Sequence, residues 1–288
     1  MTHTYSTAEL TQLQQVLYEI LNKIDEICIK HDIPYFVIGG TAIGALYDKA
    51  ILPWDDDIDI GMTRENYNRF LRIAPQELGA KYFLSWQETD PHTPYYFAKV
   101  KKNKTLFVER MFKNVPMHPG IFVDIFPFDK IPDNLLLRRI QFEAVNFLKC
   151  CLIGKEAWIW KHFGTCEIET PTNRGRMGCL LNRCFNLCFT KRFTYRLIVW
   201  AQSCFNGWNT AFYNNVITKT DHVKKEEIER LQRVPFGPLM VTAPQNLEGF
   251  LRRNYPSLHR FTPEEVATVN THYPHQLSFN TDEELTQQ

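Results

Sequence analysis

An acidic run inside an apolar segment is the feature that most constrains how this 288-residue chain can fold. Residues 39–62 read GGTAIGALYDKAILPWDDDIDIGM, and four of the five positions from 55 to 59 are aspartate. Like charges at this density repel one another and resist burial, yet the neighbouring isoleucines favour a buried strand. We therefore expect these carboxylates to share a ligand that offsets their charge.

The alternation of aspartate and isoleucine in DIDIGM predicts a strand whose side chains point to its two faces in turn. Asp57 and Asp59 would then project side by side, about 7 Å apart, on the face that also carries Asp55. Mg²⁺ removes the repulsion within such a pair, because it binds carboxylate and phosphate oxygens together. The pattern indicates a metal held by Asp57 and Asp59. Asp55 is a candidate substrate contact, although Asp55 and Asp56 could instead form a solvated turn.

Two further segments are expected to lie beside this acidic strand. Gly39, Gly40 and Thr41 follow an apolar strand and precede a helix, and such a turn lets backbone N–H groups approach a phosphate closely. Asp124 lies in the apolar segment GIFVDIFPFD, where a lone carboxylate is costly unless it is paired or binds a metal. If the two strands are neighbours, a site with three carboxylates results; a hydrogen-bonded core aspartate is the alternative.

Periodicity along the chain predicts an α+β fold with a mixed or antiparallel sheet flanked by helices. A helix capped by Ser6 and Glu9 is expected over residues 7–30, and a series of strands over residues 81–126. Three segments are distinguished: a catalytic core over 1–133, a helical region rich in aromatic and basic residues over 134–220, and a C-terminal segment of short helices over 221–288 that completes the single domain.

Composition gives little indication of partners or location. The 33 Lys and Arg nearly cancel the 32 Asp and Glu, so net charge indicates neither a nucleic-acid nor a membrane partner. Aromatic residues in the basic region follow helical spacing, so we expect no nucleic-acid binding.

The sequence contains no secretory signal and no spanning segment, and its eight cysteines form no CxxC pair, which favours a cytoplasmic protein with reduced thiols. Cys184 and Cys188 could share a helix face, but packing is favoured over zinc binding.

These motifs together resemble the nucleotidyltransferase superfamily, which implies a polymerase β-like mixed sheet. The string from Gly39 to Met62, followed by GIFVDIFPFD, is similar to the LicD family of phosphocholine transferases and to its fukutin-type relatives. Pro-Trp directly before the acidic run is the most specific part of this resemblance, which covers about residues 20–130. The segment PQNLEGFLRRNYP matches more loosely, because Pro256 follows Tyr255 where the family commonly has glycine.

The resemblance implies a transferase that requires Mg²⁺ or Mn²⁺. It would transfer a phospho-alcohol such as phosphocholine from a CDP-alcohol, preferably CDP-choline, and would release CMP. The acceptor would be a sugar hydroxyl of a cell-surface glycan: lipopolysaccharide, teichoic acid or capsule. Asp57 and Asp59 would hold the metal, and Asp124 would be the general base or a further metal ligand. The segment AKV followed by threonine makes Lys99 a phosphate contact, with a lysine that protects a sheet edge as the alternative.

The same sequence features are compatible with other functions. A nucleotidyltransferase acting on a small molecule or a protein would use the same carboxylates but release pyrophosphate, and a binding module could keep the fold without catalysis. The family's acceptor is often linked to lipid, and residues 134–220 have the Phe, Trp, Leu and basic residues of interfacial helices. A buried helical subdomain with a basic rim is slightly favoured for this region, and peripheral contact with the cytoplasmic face of the inner membrane is the alternative.

Overall fold

The computed structural model describes residues 4–163, 176–216, 222–266 and 273–281. The helices in these ranges are α1 (Thr7–Lys30), α2 (Gly39–Tyr47), α3 (Arg64–Glu77), α4 (Leu135–Phe163), α5 (Arg176–Cys188), α6 (Lys191–Ser203), α7 (Lys225–Glu229), α8 (Leu247–Asn254) and α9 (Pro263–Val266). The strands are β1 (Phe36–Val37), β2 (Asp59–Thr63), β3 (Tyr82–Ser85), β4 (Ala98–Lys102), β5 (Leu106–Val108), β6 (Phe122–Ile131), β7 (Phe212–Asn214), β8 (Val223–Lys224), β9 (Leu231–Phe236), β10 (Leu239–Pro244) and β11 (Gln276–Ser278).

A mixed sheet forms the centre of the described structure. Its main path runs β1-β2-β6-β4-β3, with β7 and β8 continuing from the end of β6. The pairing of β2 with β6 is parallel, whereas the other pairs on the path are antiparallel. The predicted α+β fold with a mixed sheet and flanking helices is therefore confirmed, and the polymerase β-like assignment stays a prediction.

The first helix follows directly from its local sequence. The Ser6 hydroxyl accepts a hydrogen bond from the Glu9 N–H at 3.2 Å, and the Glu9 carboxylate accepts one from the Ser6 N–H at 2.8 Å. This is the predicted capping box, which satisfies donors that the helix itself cannot satisfy. Apolar residues at helical spacing then bury α1 against β4 and β6.

The acidic strand is anchored by isoleucines, as predicted, but it begins later than expected. Ile58 and Ile60 are fully buried, whereas β2 starts at Asp59. Residues 55–58 precede the strand, and a turn in which the Asp55 N–H donates to the Leu52 carbonyl leads into them. The predicted alternation of faces does not extend to residues 55 and 56, because the register with the neighbouring strands begins only at Asp59 and the Asp56 carboxylate lies with those of Asp55 and Asp57.

The C-terminal segment 221–288 contains strands that the prediction of short helices omitted. Strands β9 and β10 form an antiparallel hairpin that packs against β1 and α2. Its two-residue turn is Gly237-Pro238, and Gly237 has a φ of +59°. Glycine at the first position of a two-residue turn is a hairpin signal, which the prediction of short helices did not use. Strand β11 pairs with β5, which therefore lies outside the main sheet.

Residues 134–220 are largely helical where the structure describes them. Helices α4 and α6 run side by side, and they share a small apolar cluster that includes Val145, Leu152 and Ile198. Residues 164–175 lie outside the described ranges, and α5 begins at Arg176. None of the helices in the described ranges has an apolar stretch of the length needed to cross a bilayer.

A buried ion pair joins this helical region to the sheet. Asp129 on β6 is fully buried and accepts hydrogen bonds from Arg64 Nε at 3.0 Å and from Asn206 Nδ2 at 2.6 Å. Arg64 Nη2 also donates to Gln202 of α6 at 3.1 Å. One carboxylate thus connects β6, the start of α3 and the end of α6, so the position of α6 depends on a charge without access to water.

We expect the substitution Asp129→Leu to lower the free energy of unfolding by about 3–5 kcal/mol, because the Arg64 guanidinium would stay buried without its partner. Urea denaturation followed by circular dichroism measures this change.

The matched control is Glu248→Leu, which removes the exposed pair between Glu248 and Arg252 on α8. Its unfolding midpoint should stay near that of the wild type, since exposed ion pairs contribute little to stability. Equal effects of the two substitutions would contradict the assignment of Asp129 as a structural anchor.

Candidate active site

One row across the sheet carries charged side chains on three neighbouring strands. Asp59 on β2 is the register partner of Asp124 on β6, and Asp124 is in turn the register partner of Lys99 on β4. Side chains of directly opposed residues project from the same face of a sheet. The structure thus brings together three residues that the sequence indicated separately, two carboxylates and one ammonium group.

Asp57 joins this row from the segment that precedes β2. Burial, followed by the charges of Asp57 and Asp124, raises the pKa of Asp59 well above its usual value. Burial also raises the pKa of Asp124 to about 7, although the ammonium of Lys99 opposes that shift. Asp57 contributes to the shifts of both pKa values. The three predicted metal ligands therefore lie within electrostatic reach of one another.

A second group of acids lies at the entrance to β2. In the part of the chain that the structure describes, Asp55, Asp56 and Asp57 form the one group of three acidic, His or Cys residues whose ligand atoms all lie within 4.8 Å of one another. Burial, followed by the charges of Asp57 and Asp56, raises the pKa of Asp55 to about 8. The ligand atoms of the predicted set, Asp57, Asp59 and Asp124, thus do not all lie within this distance of one another. Asp57 belongs to both groups.

The diglycine turn lies directly against these carboxylates. A Cβ on Gly39 would lie 3.5 Å from Asp59 Oδ2, and a Cβ on Gly40 would lie 2.7 Å from Asp55 Oδ2. Gly39 also has a φ of +54°, a conformation that costs glycine little. The two glycines therefore allow the carboxylates to approach the first turn of α2.

The N-terminus of α2 is suited to an anionic group. Its N-cap residue is Ile38, whose side chain makes no capping hydrogen bond, so the N-cap residue itself supplies no side-chain acceptor to the first N–H groups of the helix. Thr41 is buried, and its Oγ1 accepts a hydrogen bond from the Asp59 N–H at 2.8 Å. The Thr41 hydroxyl thus holds the start of β2, and a phosphate contact from Thr41 would come from its backbone N–H.

The acids fit a hard divalent cation such as Mg²⁺ or Mn²⁺. Lys99 donates a hydrogen bond to Asp124 Oδ2 at 3.1 Å. Asp124 Oδ1 lies 2.9 Å from the same ammonium but is buried and accepts no hydrogen bond. A buried carboxylate oxygen without a hydrogen bond, beside a second carboxylate with a raised pKa, is suited to a cation bound through oxygen.

Sequence reasoning missed the aromatic side chains that surround Lys99. Its Nζ lies 3.4 Å from the ring centroid of Phe122, 4.1 Å from that of Tyr95 and 5.5 Å from that of Phe97. The Tyr95 hydroxyl donates to Glu109, whose carboxylate lies 4.0 Å from Lys99 Nζ. Tyr95 and Phe97 precede β4, which begins at Ala98, and Phe122 lies on β6, so no local pattern in the sequence places these rings around Lys99.

Comparison with known proteins identifies the family of this region. Residues 32–146 match the family model described as LicD/FKTN/FKRP, nucleotidyltransferase domain. The lipopolysaccharide cholinephosphotransferase LicD of Haemophilus influenzae is 35% identical over 162 residues, which are 53% of this chain and 59% of that protein. An uncharacterized protein of Rickettsia typhi is 29% identical over 132 residues, 45% of this chain and 40% of that protein. The chain thus spans about half the length of these relatives.

The matched region contains the whole charged row, because Asp57, Asp59, Lys99 and Asp124 all lie between its ends. Residues 32–146 therefore belong to the LicD/FKTN/FKRP family of nucleotidyltransferase domains, which confirms the resemblance to the LicD family.

Proposed function

We propose that this protein transfers a phospho-alcohol from a CDP-alcohol to a sugar hydroxyl, on a sheet of the polymerase β-like type. Phosphocholine is the proposed group and a lipopolysaccharide sugar the proposed acceptor, because the Haemophilus influenzae relative is a lipopolysaccharide cholinephosphotransferase. The observation that carries the proposal is the register of Asp59 and Asp124 beside the diglycine turn. That arrangement combines a site for a cation with a site for phosphate in one place.

Each residue of the row has a proposed task in the transfer. Asp57 and Asp59 would hold Mg²⁺ or Mn²⁺, and the N–H groups of Gly39, Gly40 and Thr41 would bind the diphosphate. When bound, the ion offsets negative charge on the phosphate oxygens. Asp55, whose carboxylate lies beside Gly40, would also contact the donor.

The proposed reaction is a substitution at the phosphorus atom that carries the alcohol. The acceptor hydroxyl oxygen forms a bond to this phosphorus, the bond from the phosphorus to the bridging oxygen breaks, and CMP leaves with that oxygen. The hydroxyl proton passes to Asp124. A carboxylate whose pKa is raised to about 7 is a stronger base than an ordinary aspartate, which suits this role near neutral pH.

We expect Asp57→Asn and Asp59→Asn each to lower the rate of CMP release from CDP-choline by about 100-fold or more. Neither should lower the melting temperature, because each substitution removes like-charge repulsion. The control is Asp133→Asn, at an exposed position before α4, which should keep the wild-type rate. Release of pyrophosphate from a nucleoside triphosphate, without CMP from CDP-choline, would instead support nucleotidyl transfer.

The affinity for a divalent ion should increase with pH. The pKa of Asp59 is raised well above its usual value and that of its neighbour Asp124 to about 7, so at pH 6 both carboxyls carry protons that a cation held by Asp57 and Asp59 must displace. Mn²⁺ titrations at pH 6, 7 and 8 should show affinity increasing by up to about tenfold per pH unit for each displaced proton. An affinity that is constant over this range would contradict the involvement of these carboxyls.

We also propose that α5 and α6 contact an anionic membrane surface. Leu180, Leu181 and Leu187 on α5 are 55%, 53% and 74% exposed, and Phe193 and Trp200 on α6 are 43% and 66% exposed. Residues 170–220 contain seven Lys or Arg and no Asp or Glu. Exposed apolar side chains without acidic neighbours in sequence fit the interface of an anionic bilayer, where the acceptor of a lipopolysaccharide-modifying enzyme would lie.

We expect the protein to co-sediment with vesicles that contain anionic phospholipid, and expect Leu187→Asp to weaken this binding by placing a charge in the apolar face. The control is Ile29→Asp on α1, where the side chain is 66% exposed outside the α4–α6 region. No sedimentation at low salt, or equal loss in both variants, would contradict this membrane face.

A further inference from the structure

A cavity of about 620 Å³ lies between α3, α6 and the segment that follows β3. Its volume is in the range of small-ligand pockets, about 300–1,000 Å³. None of the described residues that line it belongs to the charged row or to the diglycine turn. Six of its lining side chains carry a charge or an aromatic ring: Arg64, Arg72, Arg196, Glu88, Trp86 and Tyr195. The proposed transfer at the row therefore leaves this cavity without a role.

The three arginines of the cavity differ in what they already bind. Arg64 donates through Nε and Nη2 to Asp129, which balances its charge within the protein. Arg72 on α3 and Arg196 on α6 are exposed, and neither guanidinium forms an ion pair or a hydrogen bond with another described residue. Glu88 is the one acid among the described lining residues. The cavity therefore offers two guanidinium groups to a ligand, against one carboxylate.

The other groups suit a ligand that carries hydroxyls on an apolar ring. The C–H face of a sugar ring packs on an aromatic side chain such as Trp86, and a carboxylate such as Glu88 accepts hydrogen bonds from hydroxyls. Burial raises the pKa of the Tyr195 hydroxyl to about 12, the charge of Arg64 opposes this shift, and the charge of Glu88 adds to it. Tyr195 is thus neutral and within electrostatic reach of both charges. An aromatic wall beside an acid fits a saccharide.

A phosphate fits the two exposed arginines better than a carboxylate does. Its terminal oxygens can accept hydrogen bonds from two guanidinium groups together, whereas one guanidinium already binds both oxygens of a carboxylate. Glu88 would repel a ligand that is acidic along its whole length. The lining therefore favours a sugar chain whose negative charge is confined to a phosphate near Arg72 and Arg196.

The cavity lies at the edge of the main sheet, level with the charged row. Its lining residue Trp86 follows Ser85, which ends β3 and is the register partner of Lys99. Ser85 is thus two strand spacings, about 10 Å, from Asp124. A chain of several sugars can span the distance from the cavity to the row.

The cavity also adjoins the proposed membrane face. Arg196 is three residues after Phe193 and four before Trp200, so the three side chains share one side of α6. Phe193 and Trp200 are the exposed apolar residues of that face on α6. A glycan in the cavity can therefore stay linked to a lipid in the membrane.

We propose that this cavity binds a phosphorylated saccharide and holds the acceptor glycan at a distance from the reacting hydroxyl. Arg72 and Arg196 bind the phosphate, Trp86 packs against a sugar ring, and Glu88 accepts hydrogen bonds from sugar hydroxyls. This inference rests on the proposed transfer to a sugar hydroxyl. It adds a second glycan-binding site and a phosphate on the acceptor.

The first test measures binding without donor, metal or catalysis. The full chain is titrated calorimetrically with the oligosaccharide obtained by deacylation of lipopolysaccharide, before and after removal of its phosphates. We expect the phosphorylated form to bind about tenfold more tightly or better, because charge-assisted hydrogen bonds to the phosphate are lost with it. Equal affinities, or no binding of either form, overturn the proposal.

Two smaller probes separate a glycan site from a site for a free anion. Inorganic phosphate and glucose 1-phosphate should each bind more weakly than the phosphorylated oligosaccharide, since neither makes all the proposed contacts. If either binds as tightly as the oligosaccharide, the proposal is overturned, because the ligand would then be a free anion or a soluble sugar phosphate.

The second test removes the two exposed arginines one at a time. Arg72→Gln and Arg196→Gln should each weaken binding of the phosphorylated oligosaccharide by about tenfold, with melting temperatures near that of the wild type. The matched control is Arg192→Gln, at an exposed position one turn before Arg196 that is not among the described lining residues. It should bind as the wild type does. Unchanged affinity in both cavity variants, or equal loss in all three, overturns the proposal.

The same variants separate this inference from the proposed function. In the transfer reaction, Arg72→Gln and Arg196→Gln should raise the KM for the glycan by about tenfold and leave the KM for CDP-choline unchanged. An unchanged KM for the glycan in both variants overturns this inference and leaves the transfer standing. Binding that depends on both arginines, without CMP release by the wild type, contradicts the proposed function and leaves the saccharide site standing.

Discussion

Carboxylates that lie side by side away from water need cations close to them, and the central sheet is arranged around this requirement. The parallel pairing of β2 with β6 sets Asp59 opposite Asp124, and the antiparallel pairing of β6 with β4 adds Lys99. The lysine compensates one carboxylate. Burial and the charges of Asp57 and Asp124 raise the pKa of Asp59. A divalent ion bound there would stabilise the site and create its reactivity together.

Strand β6 links this site to the helical region. Asp124 and Asp129 stand five residues apart, so their side chains point to opposite faces of the strand. Asp124 faces the charged row, and Asp129 binds Arg64 and Asn206, next to the end of α6. A single strand thus connects the proposed chemistry on one face with the anchor of α6 on the other. The proposed membrane face would therefore have a rigid connection to the site.

The sequence was sufficient to predict those elements that depend on interactions between near neighbours in the chain. The capping box of Ser6 and Glu9 and the helical spacing that follows them depend on near neighbours, and α1 formed as predicted. Alternation with isoleucine identified Asp59, and the apolar segment around Asp124 identified that residue, as acids in buried strands. The hairpin of β9 and β10 was missed, although Gly237 supplies the turn between its two strands.

Other parts of the site depend on contacts that a sequence does not display. The pairing of Lys99 with Asp124 is set by the order of the strands, and no local pattern fixes that order. The approach of Asp56 to Asp55 and Asp57 depends on the turn that begins at Leu52, where alternation had placed Asp56 on the opposite face. Contacts between residues far apart in the sequence therefore set the positions of Lys99 and Asp56, which the periodicity of the sequence could not predict.

The most direct measurement of the central claim is an anomalous difference map from crystals grown with Mn²⁺ and CMP. We expect one peak bound by Asp57 and Asp59, beside the N-terminus of α2, with the phosphate of CMP close to Gly39 and Gly40. A peak bound only by Asp55 and Asp56, with Asp59 and Asp124 free of the ion, would contradict the account of the charged row as the catalytic centre.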